Sequence, residues 1–187
     1  MTAPPDAAPA AGRFRQVLGH FCTGVTVITT VDAAGPAGFA CQSFAALSLD
    51  PPLVLFCPGR SSATWPRIAA AGFFAASVLA DGQRDLARRF GTSGPGKFRD
   101  VPWSPSASGA PILNGALTWL AGTVEAVHAA GDHYVVVARV TELGDPRPGS
   151  PLLFYRGRFD VPAAPAAAGP PEVVDTLLAW PRHDDWI

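Results

Sequence analysis

The segment from residue 38 to residue 64, GFACQSFAALSLDPPLVLFCPGRSSAT, constrains the fold more than any other part of the chain. Pro51 and Pro52 cannot extend a helix, and together with Asp50 they predict a turn between two strands. The run Leu-Val-Leu-Phe-Cys at residues 53–57 is apolar throughout and has the length of a buried strand. The segment therefore predicts two strands joined by a turn, followed by a polar cluster at the start of a helix.

That polar cluster combines a cation with three hydroxyl groups, those of Arg60, Ser61, Ser62 and Thr64. The first N–H groups of a helix have no partner and carry partial positive charge, so a cluster at this position can hold a phosphate. Ser and Thr are also ordinary N-caps, which satisfy the same N–H groups without any ligand. Both interpretations stay open on this segment alone.

Strand patterns dominate the remaining chain, and the helical patterns are short. Strands are expected at residues 25–31, 73–79, 117–128, 133–143, 152–155 and 158–161, and helices at residues 13–21, 64–71 and 81–90, the last one capped by Asp81. A loop rich in Gly, Pro and Ser follows from residue 92 to residue 111. No Rossmann glycine fingerprint follows a strand and opens a helix. These patterns predict a mostly β protein, an antiparallel barrel with short peripheral helices.

Composition divides the 187 residues into three parts. Residues 1–12 are rich in Ala and Pro and are expected to form a disordered tail. Residues 13–161 are numerous enough to form one domain with a substantial core. Residues 162–187 begin as a Pro/Ala linker and contain an apolar helical pattern at 172–180. That helix is too short to be stable alone, so it is expected to dock on its own barrel or on a partner subunit.

Charge, hydropathy and cysteine content exclude several classes of protein. A formal net charge of −1 gives no reason to expect a nucleic-acid partner. No apolar stretch reaches the length of about 18 residues that a membrane span needs, and no secretory signal begins the chain. Cys22, Cys41 and Cys57 lack metal-ligand spacing and are expected to be buried, reduced thiols. A cytoplasmic protein without metal is the expectation.

Several short motifs occur in an order that resembles the flavin reductase family. They lie at residues 24–30 (GVTVITT), 38–64, 85–90 (DLARRF), 97–98 (KF), 131–133 (GDH) and 151–157 (PLLFYRG). The resemblance implies an FMN-binding split β-barrel and a reductase that supplies reduced flavin to a two-component monooxygenase. Within the family, the chain is most similar to reductases that serve aromatic- and steroid-degrading hydroxylases, in particular the hydroxylase of a phenolic secosteroid.

The resemblance also implies which residues contact the flavin. The ring edge falls on Gln42, Ser43 and Phe44, with Ala40 and Cys41 as further cofactor-binding residues, and the phosphate falls on Arg60, Ser61, Ser62 and Thr64. Further contacts fall on Arg89, Phe90, Lys97, Tyr155 and Arg156. Many family members carry Asn or Ser where this chain has Gln42, so the contact of the Gln42 side chain stays open, whereas its backbone role does not. Without the resemblance, the same residues are ordinary strand positions, a solvated helix face and a half-buried tyrosine beside a surface cation.

His133, in the Gly-Asp-His motif, is implied to be the residue that positions NADH, whereas a lone histidine is otherwise more often structural. The chain shows no paired carboxylates and no nucleophile elbow. That absence suits hydride transfer, which needs stacking and orientation while the cofactor performs the chemistry.

The function expected from the resemblance is NADH-dependent flavin reduction by a homodimer, with hydride passing from nicotinamide C4 to flavin N5. FMN is the expected flavin, although FAD also fits. The contact with the partner monooxygenase is expected to be transient, because the reduced flavin reaches it by diffusion. The alternatives are a flavin- or haem-binding barrel without turnover, a reductase for a biosynthetic hydroxylase, an oxidase of a vitamin-like phosphate and a purely structural barrel. NADH and NADPH are not distinguished by the sequence.

Overall fold

The computed structural model describes residues 9–162, and strands make up most of its regular structure. The strands are β1 (Thr23–Gly24), β2 (Thr26–Asp32), β3 (Gly35–Cys41), β4 (Ala45–Leu49), β5 (Pro52–Phe56), β6 (Phe73–Val78), β7 (Trp103–Pro105), β8 (Pro111–Leu113), β9 (Thr118–Ala130), β10 (His133–Leu143), β11 (Leu153–Tyr155) and β12 (Arg158–Asp160). The α-helices are α1 (Ala11–Leu18), α2 (Trp65–Ala71) and α3 (Arg84–Gly91). The predicted helix at residues 172–180 and most of the predicted tail lie outside the described residues.

Seven strands form one antiparallel sheet in the order β3-β2-β6-β9-β10-β5-β4. The long β9–β10 hairpin pairs His133 with Ala130 at its tip and Leu143 with Leu120 at its base. Two shifts of register interrupt this ladder, and such bulges let a long hairpin bend. Two smaller sheets, β1-β11-β12 and β7-β8, complete the strands of residues 9–162. The predicted antiparallel, mostly β architecture is confirmed.

Strand β2 is buried on both faces, which explains its β-branched sequence TVITTV. On one face Ile28 belongs to an apolar cluster with Phe56 and Phe74. On the other face Val27 belongs to a second cluster that includes Phe90 of α3. A strand between two apolar clusters has no solvent face, so the alternation of apolar and polar residues typical of a surface strand is absent.

Helix α3 begins later than the sequence predicts. Residues 81–83 form a 3-10 turn, and the α-helix itself starts at Arg84. The carboxylate of Asp81 accepts a hydrogen bond from the Gly82 N–H (2.6 Å), which belongs to that turn. The prediction that Asp81 caps α3 is therefore wrong, because its side chain is used before the helix begins.

Helices α1 and α2 occupy the expected regions with different precision. Helix α2 ends as predicted at Gly72, which adopts a left-handed φ of 74° and donates its N–H to the Ile68 carbonyl. Helix α1 starts at Ala11 instead of residue 13 and ends at Leu18, and none of its side chains is buried. Within residues 9–162 no helix is long and apolar enough to cross a membrane.

The three cysteines differ in exposure, and all are free thiols. Cys41 is buried in β3 and Cys57 is half-buried just after β5. Cys22 is exposed, because it lies in the surface segment between α1 and β1. The prediction of three buried thiols is therefore wrong for Cys22.

Candidate functional site

A groove runs along the free edge of β3, which pairs only with β2 among the described strands. We call one half of it the cationic end; it encloses about 330 Å³ and is lined by residues 36–38, 63, 64, 67 and 94–99. We call the other half the neutral end; it also encloses about 330 Å³ and is lined by residues 39–43, 57–59, 62 and 133. Consecutive residues of β3 and of the segment before α2 line the two ends, so the ends lie next to each other along the edge of the strand.

The backbone of β3 offers hydrogen-bonding groups to this groove. The Cys41 carbonyl points toward β2, where it accepts a hydrogen bond from Thr26 Oγ1 (3.1 Å). The Gly38 carbonyl points away from β2 and accepts from the Lys97 ammonium group (3.3 Å). In an antiparallel strand, backbone groups alternate between the two sides. The N–H and C=O of Ala40 therefore point, like the Gly38 carbonyl, into the groove.

Three basic side chains and one hydroxyl line the cationic end, those of Arg67, Lys97, Arg99 and Thr64. Arg67 is compensated, because it donates two hydrogen bonds (2.7 and 2.5 Å) to the carboxylate of Asp32 and lowers the pKa of that carboxyl. Lys97 donates to the carbonyls of Phe90 (3.1 Å) and Gly38, and no carboxylate of residues 9–162 forms an ion pair with it. Burial lowers the pKa of Lys97. With one N–H left to donate, Lys97 is suited to bind an anion.

At the neutral end, the Ser43 hydroxyl links the Cys41 thiol to the backbone of Cys57. Ser43 Oγ accepts a hydrogen bond from the Cys57 N–H (2.9 Å) and lies 3.3 Å from Cys41 Sγ. Burial raises the pKa of the Cys41 thiol, so this thiol is uncharged at neutral pH. The neutral end is lined by polar and apolar groups in similar measure and by no described Lys, Arg, Asp or Glu side chain, which suits an uncharged ring system with a polar edge.

The tip of the β9–β10 hairpin reaches the neutral end because the β5–β10 ladder continues past the last residue of β5. The Tyr134 N–H donates to the Pro58 carbonyl (3.0 Å), and the Arg60 N–H donates to the Asp132 carbonyl (2.9 Å). These two bonds hold the segment after β5 against the hairpin. They place the side chain of His133 at the wall of the groove.

His133 lies opposite Gly59 in this extended ladder. Its Nδ1 is 2.8 Å from Asp132 Oδ1, and this hydrogen bond lowers the pKa of the Asp132 carboxyl. Its Nε2 is directed toward Gly59 and is 3.7 Å from the position that a Cβ atom would take there. A Cβ atom at that distance would only make van der Waals contact; half of the imidazole surface is exposed, and Nε2 has no hydrogen-bond partner among residues 9–162.

Eight of the predicted site residues line this groove: Ala40, Cys41, Gln42, Ser43, Ser62, Thr64, Lys97 and His133. Of the two interpretations of the hydroxyl cluster, N-capping is supported, whereas phosphate binding stays a prediction. Ser62 Oγ accepts from the Trp65 N–H (3.2 Å), as a cap does, and Ser62 also lines the neutral end. Thr64 instead donates its hydroxyl to the Gly38 carbonyl (3.3 Å).

Two predicted residues of the α3 region point elsewhere. Phe90 is 1% exposed and packs edge-on against Phe98, with ring centroids 5.0 Å apart. It lies directly beneath β3, where a Cβ atom on Gly38 would come within 2.9 Å of its ring. Arg89 is exposed and donates to the Arg99 carbonyl (2.7 Å). The amphipathic packing of α3 on β3 therefore makes Phe90 a support of the groove floor and leaves Arg89 outside.

The remaining predicted residues line neither end of the groove. Tyr155 packs edge-on against His20 (6.1 Å), and the Arg156 N–H donates to the Gly19 carbonyl (2.9 Å), so both lie beside the segment that follows α1. Arg60 extends over the ring of Tyr134, with its guanidinium carbon 5.4 Å from the centroid. Ser61 is exposed, and Phe44 packs half-buried against the cluster that contains Ile28 and Phe56.

Sequence reasoning missed several residues of the groove. Arg67 and Arg99 line the cationic end, but no local motif distinguishes them from other surface arginines. Cys57 and Gly59 lie within the segment that carries the resemblance, yet only the fold shows that they line the same end of the groove as His133. Asp132 belongs to the Gly-Asp-His motif, and its position next to His133 is the signal that predicts a pair.

Comparison with known proteins agrees with this geometry. The family model described as flavin reductase like domain matches residues 18–162. The flavin-dependent monooxygenase reductase subunit HsaB of Rhodococcus jostii (strain RHA1) is 47% identical over 94% of this chain and 91% of its own. The solved nitrilotriacetate monooxygenase component B from Mycobacterium thermoresistibile has a TM-score of 0.81 and 49% identity, covering 89% of this chain and 93% of that one.

A further solved structure was obtained with ligands. The NADH:FAD oxidoreductase SgcE6 of Streptomyces globisporus C-1027, in complex with NAD and FAD fragments, has a TM-score of 0.80 and 35% identity, covering 90% of this chain and 99% of that one. These similarities confirm the predicted split β-barrel. The family model spans most of the chain, and the relatives align over nearly their whole length. The chain therefore belongs to the flavin reductase like domain family.

Proposed function

We propose that this protein is an NADH-dependent flavin reductase that supplies reduced flavin to a separate monooxygenase. The observation that carries the proposal is the groove along β3, with a neutral end beside His133 and, at the other end, a lysine that pairs with no carboxylate of residues 9–162. A flavin nucleotide has the same polarity along its length, an aromatic ring system at one end and a phosphate at the other. The names of the relatives, which include a reductase subunit of a flavin-dependent monooxygenase, support the same activity.

Different residues of the groove bind the ring and the phosphate of the flavin. The backbone groups of Ala40 and the hydroxyl of Ser43 orient the polar edge of the ring, and a hydrogen-bond donor there stabilises negative charge on the ring. Lys97 holds the phosphate, which FMN and FAD both carry after the ribityl chain, and Thr64 lines the same end with its hydroxyl donated to the Gly38 carbonyl. When bound, the flavin supplies the hydride acceptor. We propose FMN as the preferred flavin, since the cationic end accommodates a terminal phosphate.

NADH approaches from the side of His133. The imidazole is half-exposed at the neutral end and its Nε2 has no hydrogen-bond partner among residues 9–162, so a nicotinamide that lies flat on a ring held there can reach it. In this proposal the histidine orients the nucleotide, and no proton transfer is required of it.

Steady-state oxidation of NADH tests the proposed activity. With catalytic amounts of protein, oxidation under air should require added flavin and should saturate with FMN at lower concentration than with FAD. A flavin- or haem-binding barrel without turnover would bind the pigment and leave NADH unchanged. NADPH in place of NADH measures the nucleotide preference in the same assay.

We further propose that the reduced flavin serves an oxygenase of aromatic or steroid degradation, because the motifs of the chain resemble those of reductases that serve such oxygenases. The test is reconstitution with a flavin-dependent phenol hydroxylase that lacks its own reductase. Hydroxylated product should form only when both proteins and NADH are present. Product from a biosynthetic hydroxylase alone, with none from degradative oxygenases, would redirect the proposal to the other kind of partner.

The exposed face of α1 supports a homodimer as the working assembly. Phe14, Val17, Leu18 and Phe21 are each between 51% and 75% exposed. An eight-residue helix has little stability of its own, so an apolar face of this kind needs a partner. Sedimentation should show a dimer, and Phe14→Ser with Phe21→Ser should shift it toward monomer. A wild-type monomer at micromolar concentration contradicts this assembly.

We also propose a cytoplasmic location, because the reaction consumes NADH and the three thiols are free. Cell fractionation tests it: the protein should appear with cytoplasmic markers, and recovery in the extracellular or membrane fraction contradicts it.

A further inference from the structure

In the Asp132–His133 pair at the tip of the β9–β10 hairpin, the imidazole is the hydrogen-bond donor and the carboxylate is the acceptor. His133 Nδ1 lies 2.8 Å from Asp132 Oδ1. The hydrogen bond to His133 lowers the pKa of Asp132, so the carboxyl group is ionised at neutral pH and can only accept a hydrogen bond. In a neutral imidazole, Nδ1 must then carry the proton, and Nε2 must present a lone pair.

We propose that Asp132 is a positioning residue that holds His133 in the Nδ1–H form, so that Nε2 accepts a hydrogen bond from the carboxamide NH₂ of nicotinamide. The inference rests on the proposed use of NADH. It assigns a specific acceptor to one group of the substrate. Because the carboxamide carries a donor on one side and an acceptor on the other, an acceptor at Nε2 selects the carboxamide rotamer whose NH₂ faces His133.

The position of Nε2 supports this assignment. Nε2 faces Gly59 at the neutral end, and no hydrogen bond from another of the residues 9–162 occupies it. Two backbone hydrogen bonds anchor the hairpin tip: the Arg60 N–H donates to the Asp132 carbonyl, and the Tyr134 N–H donates to the Pro58 carbonyl. The imidazole is therefore held at its backbone by the ladder and at Nδ1 by the carboxylate.

A substitution of Asp132 is expected to leave the fold undisturbed. Its side chain is 95% exposed, so truncation opens no cavity in the core. Its backbone bond to Arg60 does not depend on the side chain. A change in nucleotide binding by Asp132→Ala therefore reports on the His133 contact and not on the fold.

The experiment compares two reduced nucleotides, NADH and its 3-acetylpyridine analogue, in which a methyl group replaces the carboxamide NH₂. Dissociation constants are measured for wild type, Asp132→Ala, Asp132→Asn and His133→Ala, with Asp145→Ala as an exposed carboxylate control in the loop after β10. Wild type should prefer NADH by about fivefold, as expected for one hydrogen bond. The ratio of the two dissociation constants should fall to about one in Asp132→Ala and in His133→Ala. It should be unchanged in Asp145→Ala. Part of the preference for NADH should remain in Asp132→Asn, because the amide oxygen can still accept a hydrogen bond from Nδ1–H.

Nitrogen-15 NMR of His133 gives a second readout that a merely structural role would not move. Nε2 should be unprotonated in wild type, and Asp132→Ala should mix the two tautomers. An NADH preference that is unchanged in Asp132→Ala, or a wild-type Nε2 that carries the proton, overturns the inference while leaving flavin reduction intact. A wild type that oxidises neither nucleotide overturns the proposed function itself.

Discussion

Replacement of Lys97 by methionine should weaken the binding of FMN and leave the binding of riboflavin nearly unchanged. Lys97 is half-buried at the cationic end, and two of its three N–H groups donate to the Phe90 and Gly38 carbonyls. The third can donate to a phosphate, which riboflavin lacks. Methionine keeps most of the unbranched apolar stem and removes the charge, so the variant isolates the ionic contact.

The size of the effect follows from the environment of the ammonium group. A hydrogen bond to a charged group contributes about 1.5–3 kcal/mol, and a partly exposed pair falls in the lower half of that range because solvent screens it. A loss of ~2 kcal/mol corresponds to a dissociation constant for FMN raised about thirtyfold. Loss of the two carbonyl contacts should also lower the free energy of unfolding, by ~1 kcal/mol.

Titration of flavin fluorescence measures both dissociation constants. Lys97→Arg, which keeps the charge, should retain most of the FMN affinity. Arg84→Met, which removes an exposed cation at the start of α3, is the matched control and should change neither constant. An equal loss of FMN and riboflavin affinity in Lys97→Met, or no loss of either, refutes the assignment of the phosphate to the cationic end.

Three further predictions concern the groove. Gly38→Ala should lower the free energy of unfolding by about 1–3 kcal/mol in denaturant titrations, because the new Cβ would lie 2.9 Å from the Phe90 ring and 3.0 Å from the Ile28 carbonyl; unchanged stability would contradict this packing. His133→Ala should raise the KM for NADH about fivefold in steady-state kinetics with the FMN dissociation constant unchanged, and loss of flavin binding instead would move His133 to the flavin side. FMN affinity should decline as pH rises through the pKa of Lys97, which burial lowers below the ordinary lysine value of about 10.4, because the free protein then loses the ammonium charge. Riboflavin, which has no phosphate, gives the baseline. If the affinities of the two flavins change in parallel with pH, Lys97 does not bind the phosphate.

Local patterns predict most of the strands, because their signals lie within a few residues. The β-branched run at residues 25–31 and the turn at residues 50–52 both occur close to their expected places. Helix starts are less predictable. Asp81 has the character of a cap, but a 3-10 turn uses its carboxylate first, and this choice depends on how the chain leaves β6.

The neutral end of the groove is also largely predictable, because residues 39–43 and 57–62 lie in one continuous motif-bearing segment. The motif at residues 85–90 is less informative about individual side chains. It predicts flavin contacts for Arg89 and Phe90, yet the packing of α3 buries Phe90 under Gly38 and turns Arg89 to the surface. Which face of a short helix meets the sheet is a long-range property.

The cationic end depends most on tertiary structure. The charge of Arg67 is compensated by the carboxylate of Asp32, which lies 35 residues away in the sequence. Lys97 gains importance because the described residues offer it carbonyls and no carboxylate. Neither relationship is visible in local sequence, so the predicted phosphate ligands Arg60 and Ser61 lie outside the groove while Arg67 and Arg99 line it.

Direct transfer of hydride from NADH to a flavin held along β3 is tested most directly by anaerobic single-turnover mixing. The protein is loaded with FMN and mixed with NADH or with NADH that carries deuterium at C4, and the oxidised-flavin absorbance band is followed. We expect the band to bleach in a first-order phase that is slower with the deuterated nucleotide. A band that persists, or that bleaches at the same rate whether or not the protein is present, contradicts the account.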